Sequence, residues 1–311
     1  MTTEPPYLGT EPPYLRIAGE LRRRIVSGEL APGDRLPSTR AIVREWEVAM
    51  ATATKALSVL RGEGLVRAVP GVGTVVAERA APGPGDAGGG AALSRARIVR
   101  TAIELADAEG LSAVSMRRVA TALTTSTMAL YRHVPGKAEL VRLMSDEAFA
   151  EHPLGAVPHG WRPGLELAAR WLRSVYGRHP WLAQSVASFT RPTASPHAMR
   201  YTEWVLRVLA GTGLPPHTKL HIHLTLFAHV QGLAMAGELE SQALQDTGLS
   251  AEQWMERNEP HFDAISASGD YPFLNSLFEH EEFELDLGIL FEFGLRRTLD
   301  GIAVMIGETS A

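Results

Sequence analysis

The chain has no cysteine among its 311 residues. This absence excludes disulfide bonds, thiolate zinc sites and cysteine nucleophiles, and it is typical of proteins that work in a reducing cytoplasm. No apolar run follows a basic segment at the N-terminus, and no stretch approaches 18 uncharged apolar residues. We therefore expect neither a signal peptide nor a membrane span.

Charge is distributed unevenly along the sequence. Residues 1–79 carry 11 Lys and Arg against 9 Asp and Glu, residues 94–145 carry 8 against 4, and residues 146–311 carry 11 against 21. A basic front and an acidic remainder favour a part that binds a polyanion joined to a part with another task. Ordinary variation of surface charge is the alternative.

Composition divides the chain into five segments. TEPPYL occurs twice, at 3–8 and 10–15, and this proline-rich repeat predicts a disordered arm over residues 1–13. The sequence AAPGPGDAGGGAAL at 80–93 predicts a flexible linker. Between and after them lie three candidate domains, at 14–79, 94–145 and 146–311.

Residues 14–79 have the pattern of a winged helix-turn-helix. Apolar periodicity and turn residues predict three helices and two strands, at 15–27, 39–46, 51–63, 65–69 and 74–77. Ser38 is placed to cap the second helix. A glycine-bearing turn joins the strands as a β-hairpin wing.

The strings SGELAPGDRLPSTR, TKALSVLRGEGLV and PGVGTVV in this segment resemble the DNA-binding domain of the GntR family. The resemblance implies a set of DNA-binding residues: Ser38, Arg40, Thr52, Thr54, Lys55, Gly71 and Gly73. The sequence departs from the family where the recognition helix begins, because Ala49-Met50 replace the usual Ser-Arg or Thr-Arg. Losing a guanidinium removes a base contact worth about 1–3 kcal/mol, so we expect altered or weaker specificity. A wing kept for packing alone is the alternative.

A second helix-turn-helix pattern occupies the sequence SMRRVATALTTSTMALYRHVPGKAEL, which begins at Ser115. A short apolar-faced helix is followed by Thr124-Thr125, and Ser126 is placed to cap a further helix from about Thr127 to His133. A short helix, a tight turn and a second helix with polar and aromatic groups can lie in a DNA major groove.

The string ALYRHVPGKAEL resembles the signature of TetR-type regulators. The resemblance implies a second set of DNA-binding residues: Arg117, Thr127, Met128, Tyr131, Arg132, His133 and Lys137. Lys137 at a helix start favours a phosphate there. Thr124 stands where the family usually has glycine, so we expect a strained turn. A packed Tyr131 ring with only its hydroxyl on phosphate, and a helix-end role for His133, stay open.

Residues 146–311 form a predominantly helical region, so the whole chain is expected to be mainly all-α with a small β wing. Segments near 218–240 and 285–305 are apolar almost all round, which indicates burial on more than one side. The region resembles the tetracycline-repressor type of ligand domain, which implies a homodimer through those two helices and an effector pocket. Candidate pocket residues are Trp181, Phe189, Trp204, Phe227, Met235, Trp254, Phe262 and Phe273. Ordinary core packing is the alternative for each of them.

Two further patterns in this region carry less. His217 and His221 have a spacing that can place two imidazoles on one metal, but no acidic partner stands at a suitable offset, so we predict no metal. The proline-containing sequence EQWMERNEPHF, at 252–262, is interpreted as a loop.

Together the patterns favour a ligand-responsive, cytoplasmic, nucleoid-associated regulator that binds double-stranded DNA and is released by a small apolar effector. An enzyme is the first alternative, since GntR-type domains are sometimes fused to domains that hold pyridoxal phosphate. Lys219 is the only lysine after Lys137, the remaining length is too short for that fold, and no GxSxG, HExxH or phosphate loop occurs. We therefore predict no enzyme and no cofactor. A sensor or scaffold with one degenerate DNA-reading domain is the second alternative.

Overall fold

The structure, a computed structural model, describes residues 12–69, 72–77, 93–280 and 286–310. The described residues are mainly helical, with one antiparallel two-stranded sheet, and this confirms the predicted fold class. The chain divides into two compact units, residues 1–141 and 142–311. Most of the predicted arm and linker lies outside the described residues, and the predicted domain limits stay predictions.

The first part of unit one is a winged helix. Its elements are α1 Pro13–Val26, α2 Thr39–Trp46, α3 Met50–Gly62, β1 Val66–Val69 and β2 Gly73–Val76. α3 packs against both α1 and α2. Ile17, Ile42 and Leu60, one from each helix, are fully buried, and each such side chain contributes roughly 1.5–3 kcal/mol of hydrophobic stabilisation.

The second part of unit one is a helix-turn-helix. Its helices are α4 Arg95–Glu109, α5 Met116–Ala122, α6 Thr127–Tyr131 and α7 Lys137–Ala150, the last of which continues into unit two. α6 ends at Tyr131, not at His133 as predicted. The backbone N–H groups of His133 and Val134 both donate to Leu130 O at 2.9 Å. Val134 precedes a proline, which disfavours helical backbone, and its side chain is fully buried.

Unit two is a helical bundle. The helices that follow α7 are α8 Trp161–Arg178, α9 Trp181–Ser185, α10 Pro196–Val208, α11 Pro216–Thr247, α12 Ala251–Ser266, α13 Pro272–His280 and α14 Leu287–Ser310. α11 lies at the centre, because it packs against α8, α9, α10 and α14. Within one protomer only a few α11 side chains are buried, including those of Leu226 and Val230.

α12 corrects the prediction of a loop at 252–262. The Ser250 hydroxyl accepts from Gln253 N at 3.2 Å, and the Gln253 side chain accepts from Ser250 N at 3.0 Å, which completes a capping box. The helix accommodates Pro260 in its interior and contains no buried residue. The Ser250–Gln253 capping signal lies just ahead of this segment in the sequence and favours a helix start.

α11 and α14 approach each other closely at Gly294. A Cβ atom built at Gly294 would fall on the ring of His229. The His229 ring also stacks on Phe291, with centroids 5.8 Å apart, and its Nε2 lies 3.1 Å from Phe291 O. Glycine at 294 is therefore required for this packing.

Candidate DNA-binding elements and effector cavity

The recognition helix of the winged helix is α3, and α2 precedes it. The Ser38 hydroxyl caps α2 by accepting a hydrogen bond from Ala41 N at 3.2 Å. Arg40, in the first turn of α2, is exposed. The chain then turns through Glu47, whose φ of 49° is left-handed. This places α2 and α3 in the helix-turn-helix arrangement that the sequence predicts.

Three predicted contacts lie on α3. Thr52 is half-buried, and Thr54 and Lys55 are exposed. The Thr54 hydroxyl donates to Met50 O at 2.9 Å, and Lys55 Nζ lies 4.2 Å from the centre of the Tyr14 ring. Both polar groups are therefore engaged within the protein when DNA is absent.

The wing contains Gly73 and a residue that sequence analysis missed. Gly73 has a φ of 113°, and a Cβ there would lie 3.3 Å from Arg35 Nε. Arg35 is exposed and forms a β-bridge with Val75, so its guanidinium lies beside the wing. Its position directly after the Pro32-Gly33-Asp34 turn was the available signal. Gly71 lies outside the described residues.

The second helix-turn-helix is organised by serine caps. Ser115 accepts from Arg118 N and Ser126 accepts from Ala129 N, each at 3.2 Å. Between them Thr124 has a φ of 52°. The expected strain at this turn is thus present, because a β-branched residue occupies left-handed backbone.

The predicted DNA contacts of this second element differ in accessibility. Arg117 and Arg132 are exposed, while Thr127, Met128 and His133 are half-buried. Tyr131 is only 5% exposed, and its buried hydroxyl has no hydrogen-bond partner among the described residues. Burial raises the pKa of that hydroxyl, so the Tyr131 side chain is a packed, neutral group.

Lys137 begins α7, as the sequence predicts. Its Nζ lies 3.5 Å from Leu111 O, and partial burial lowers its pKa. The side chain therefore lies back along the 3-10 turn at Leu111–Ala113, beside the N-terminus of α7. Amide groups at a helix start and a nearby ammonium group suit a phosphate.

Unit two contains a cavity of about 260 Å³ between α7, α8 and α10. Its wall includes the stacked rings of Trp171 and Tyr201, whose centroids are 5.0 Å apart. Trp204 Nε1 donates to Gly155 O at 2.8 Å and is held at the edge. The remaining lining residues are Phe149, Pro153, Leu154, His197, Arg200, Glu203 and Arg207.

An aromatic cluster adjoins the cavity and shares Tyr201 with it. The Phe227 ring lies 5.8 Å from Phe189, 6.0 Å from His223, and 6.4 Å from both Tyr176 and Tyr201. These residues come from α8, α10, α11 and the segment after α9. Long-range packing, rather than proximity in sequence, assembles them.

Two polar atoms in this cluster are buried without a partner among the described residues: the Tyr176 hydroxyl and His223 Nδ1. The other ring nitrogen of His223 lies 3.1 Å from the Thr202 hydroxyl. Burial lowers the pKa of His223 to about 4, so its imidazole is neutral at pH 7. A buried polar atom left unpaired costs about 1–3 kcal/mol, so these two atoms are available anchors for a ligand.

Three family descriptions match successive parts of this chain. "Bacterial regulatory proteins, gntR family" matches residues 13–76, "Bacterial regulatory proteins, tetR family" matches 98–144, and "Tetracyclin repressor-like, C-terminal domain" matches 154–306. The HTH-type transcriptional repressor DrrR1 of Streptomyces coeruleorubidus is 39% identical over 218 residues, which cover 70% of this chain and 79% of that protein.

The chain belongs to the TetR family, with a GntR-type DNA-binding domain ahead of the TetR part. Among solved structures, ActR from Streptomyces coelicolor in complex with actinorhodin is 28% identical, covers 70% of this chain and 99% of its own, and has a TM-score of 0.59. Apo ActR gives a TM-score of 0.58 at 28% identity, over 71% of this chain and 99% of its own. The predicted resemblance is confirmed, and the chain is a ligand-responsive DNA-binding regulator and not an enzyme.

The TetR-type ligand domain does not gather all the predicted pocket residues. Trp204 lines the cavity, and Phe189 and Phe227 belong to the aromatic cluster. Trp181 is fully buried in α9, and Met235 is half-buried on α11. The other three candidates are exposed in the protomer: Trp254 by 46%, Phe262 by 43% and Phe273 by 89%.

The sequence patterns do not mark Tyr176, Tyr201 and His223 of this TetR-type domain as neighbours of Phe227. His223 is buried, unlike His217 and His221 on the same helix. Those two exposed imidazoles lie with ring centroids 6.3 Å apart. No group of three potential metal ligands is found among residues 12–69, 72–77, 93–280 and 286–310. Over the same residues, no helix is long and apolar enough to span a membrane.

Proposed function

We propose that this regulator is a repressor that leaves its operator when a small aromatic, largely apolar effector binds unit two. DrrR1 is named a repressor and ActR was solved with actinorhodin bound, and both support the assignment by similarity. Release requires only that the effector prefer the protein state that fits DNA poorly. We place this activity in the cytoplasm, at the nucleoid.

The observation that carries the effector proposal is the pair of unpartnered atoms, Tyr176 Oη and His223 Nδ1, buried beside aromatic rings. A flat aromatic ligand would stack near Trp171 and Tyr201 in the cavity. Tyr176 and His223 do not line the cavity, so pairing with their buried atoms requires the ligand to reach past Tyr201 into the adjoining cluster. Apolar walls with a few polar anchors are the common composition of small-molecule sites. Arg200 and Arg207 at the cavity favour a ligand with a negative or electron-rich edge.

The effector site is tested with the fluorescent aromatic anion 8-anilinonaphthalene-1-sulfonate. Leu154→Trp adds an indole to the cavity wall and is expected to reduce probe binding about 10-fold or more, because the indole occupies the space in which the probe would bury its rings. Leu167→Trp, at a position 43% exposed on α8, is the matched control and should bind like the parent. Equal binding by both variants would place the probe, and the effector site, elsewhere.

DNA reading is tested by footprinting the full chain on DNA upstream of its own gene. We propose contacts from both helix-turn-helix elements, with Arg40 and Arg132 as exposed candidates for base or phosphate contact. Arg132→Ala should lose protection at one part of the footprint, whereas Arg100→Ala, on α4, should retain it. If Arg132→Ala leaves the protection unchanged, the proposal that the second helix-turn-helix contacts DNA through Arg132 is wrong.

We further propose a homodimer through α11 and α14. In the protomer, α14 exposes Ile289 by 62%, Phe293 by 59% and Val304 by 61%, and apolar surface of this kind is typical of subunit interfaces. Ile289→Arg with Phe293→Arg should yield a monomer in sedimentation at micromolar concentration. Met199→Arg, at a position 66% exposed on α10, is the control and should stay dimeric.

The exposed aromatic residues of α12 and α13 fit the same proposal. Trp254, Phe262 and Phe273 were predicted to line a pocket, and in one protomer they face solvent. We propose that a second subunit covers them, which would bring them toward an effector site only in the dimer. Quenching of Trp254 fluorescence by acrylamide, compared above and below the dimer dissociation constant, tests this placement.

A sensor with one degenerate DNA-reading domain is the second candidate function. The observation in its favour is that α3 begins with Ala49-Met50 and that the polar groups of Thr54 and Lys55 are engaged internally. In that case Arg40→Ala would leave the footprint of the full chain unchanged in length and in salt dependence.

A further inference from the structure

Unit one brings its two DNA-reading elements into contact with each other. The contact is centred on Arg22 of α1, which belongs to the winged helix, and on Tyr131, the last residue of α6 in the second helix-turn-helix. The Arg22 guanidinium carbon lies 5.5 Å from the centre of the Tyr131 ring. A guanidinium at this distance from an aromatic face forms a cation–π interaction.

Glu63 fixes the Arg22 side chain in this position. Arg22 Nε donates to Glu63 Oε2 at 3.0 Å, and Arg22 Nη2 donates to Oε1 at 2.5 Å. The two side chains are 16% and 14% exposed. A bidentate, mostly buried pair has a defined geometry, so the winged helix presents a rigid cationic plane to Tyr131.

A second point of approach lies in the turn before α7. A Cβ atom built at Gly136 would be 3.7 Å from the Arg22 guanidinium. Larger residues there would meet Arg22 at van der Waals distance or closer. Arg22 therefore lies against both the end of α6 and the turn that follows it.

A cavity of about 200 Å³ separates the two elements next to this contact. Met128 and Arg132 of the second helix-turn-helix form one side of it. The winged helix forms the other side through Ile25, Val26, Leu30, Pro32, Gly64, Leu65, Val76 and Ala77. The winged helix thus faces three of the residues that were predicted to enter a major groove.

We propose that the winged helix restrains the second helix-turn-helix by docking on its recognition helix, and that this contact opens before that helix enters DNA. The proposal rests on the proposed function, in which the second element reads DNA. A B-DNA major groove is about 12 Å wide and admits one helix. It cannot receive Tyr131 and Met128 while another domain lies against them.

The contact has the features of one that opens. The Tyr131 hydroxyl is buried and makes no hydrogen bond of standard geometry among the described residues, although Arg22 and Glu63 lie near enough to influence its pKa. Fifteen residues, 78–92, separate the two elements in the sequence. The reading helix α3 of the winged helix keeps Met50, Thr54 and Lys55 exposed, so docking leaves that domain able to reach DNA.

The test uses the full chain with two nitroxide labels, one on each element. Because the protein has no cysteine, Ser58→Cys on α3 and Ser112→Cys near α5 accept labels specifically, and both positions are exposed. Arg22→Gln with Glu63→Gln lets two amides pair while removing the cation from the ring. Arg23→Gln with Glu29→Gln is the matched control, because it removes exposed ion pairs on the same domain: Arg23 with Glu29 at 3.4 Å and Arg23 with Glu20 at 2.6 Å.

Two measurements are made on each variant: the distribution of label distances by pulsed electron spin resonance, and the affinity for duplexes selected by the parent from a random-sequence pool at fixed salt. The Arg22/Glu63 variant should widen the distance distribution and bind selected DNA about 5- to 30-fold more tightly, since a docked state lowers the binding-competent fraction. The control should match the parent in both.

A distance distribution equal to that of the control would overturn the proposal, and so would a wider distribution without tighter DNA binding. If the parent selects no duplex at all, the proposed function fails and the restraint fails with it, whereas the label distances report on the contact alone. Parallel melting curves for the two variant pairs establish that the winged helix is still folded.

Discussion

His223 is expected to make unit two sensitive to acid. Its side chain is 3% exposed, and burial lowers its pKa from 6.5 to about 4. The unfolded chain therefore binds a proton below pH 6.5 that the folded protein does not bind until about pH 4. The contribution of neutral, buried His223 to the free energy of unfolding is fully present above pH 6.5 and is lost as the pH falls from 6.5 towards 4.

The magnitude follows from these two pKa values. At pH 5, protonation of the unfolded state favours unfolding by a factor of about 30, which is about 2 kcal/mol. Below pH 4 the effect reaches about 3 kcal/mol. This is a large part of the roughly 5–15 kcal/mol by which a domain is stable.

The assay is urea unfolding at pH 7 and pH 5, at constant ionic strength, with tryptophan fluorescence as the signal. Five of the six tryptophans lie after residue 142, so the signal reports mainly on unit two. His223→Gln should reduce the loss of stability between the two pH values by about 2 kcal/mol relative to the parent. His217→Gln on the first turn of α11 is the exposed control. If the parent and His223→Gln lose equal stability on acidification, the reasoning about His223 is refuted.

Two backbone positions give further predictions. Gly294→Ala should destabilise the protein by about 1–3 kcal/mol, because the added Cβ meets the His229 ring. Gly177→Ala is the control and should be neutral or stabilising, since nothing lies within 4 Å of a Cβ there. Equal melting temperatures for the two variants would contradict the α11–α14 packing. Thr124→Gly should stabilise by about 0.5–1 kcal/mol in urea unfolding, because it relieves a left-handed φ of 52°. Thr125→Gly is its control and should destabilise; the opposite order of the two threonine variants would show that the turn is unstrained.

Local signals account for what could be predicted from the sequence. The caps at Ser38 and Ser126 act over three residues, as does the cap that was overlooked at Ser250. The strain at Thr124 likewise follows from one residue type in one turn. These features depend on short-range sterics and hydrogen bonds, which a sequence displays directly.

The rest depends on contacts between distant segments. Tyr176 and His223 meet around Phe227 only because α8 and α11 pack together, and neither helix marks them in its own pattern. Tyr131 is predicted to contact DNA, with a packed ring as the open alternative, and no pattern in the sequence indicates that Arg22, far away in the chain, lies against its ring. The exposure of Phe273 could not be predicted from the sequence either, because an aromatic residue at helical spacing is equally compatible with a core, a pocket or a subunit contact.

A single helix, α11, contributes to both the aromatic cluster and the contact with α14. It runs for 32 residues without interruption, about 48 Å at 1.5 Å per residue. His223 in the aromatic cluster and His229 at the α14 contact lie on the same stiff helix. A tilt of about 5° at His223 would move His229, about 9 Å along the helix, by less than about 1 Å, and the far end of α11 by about 3 Å. A small change in the cluster would therefore be amplified mainly in the part of α11 beyond the α14 contact at His229.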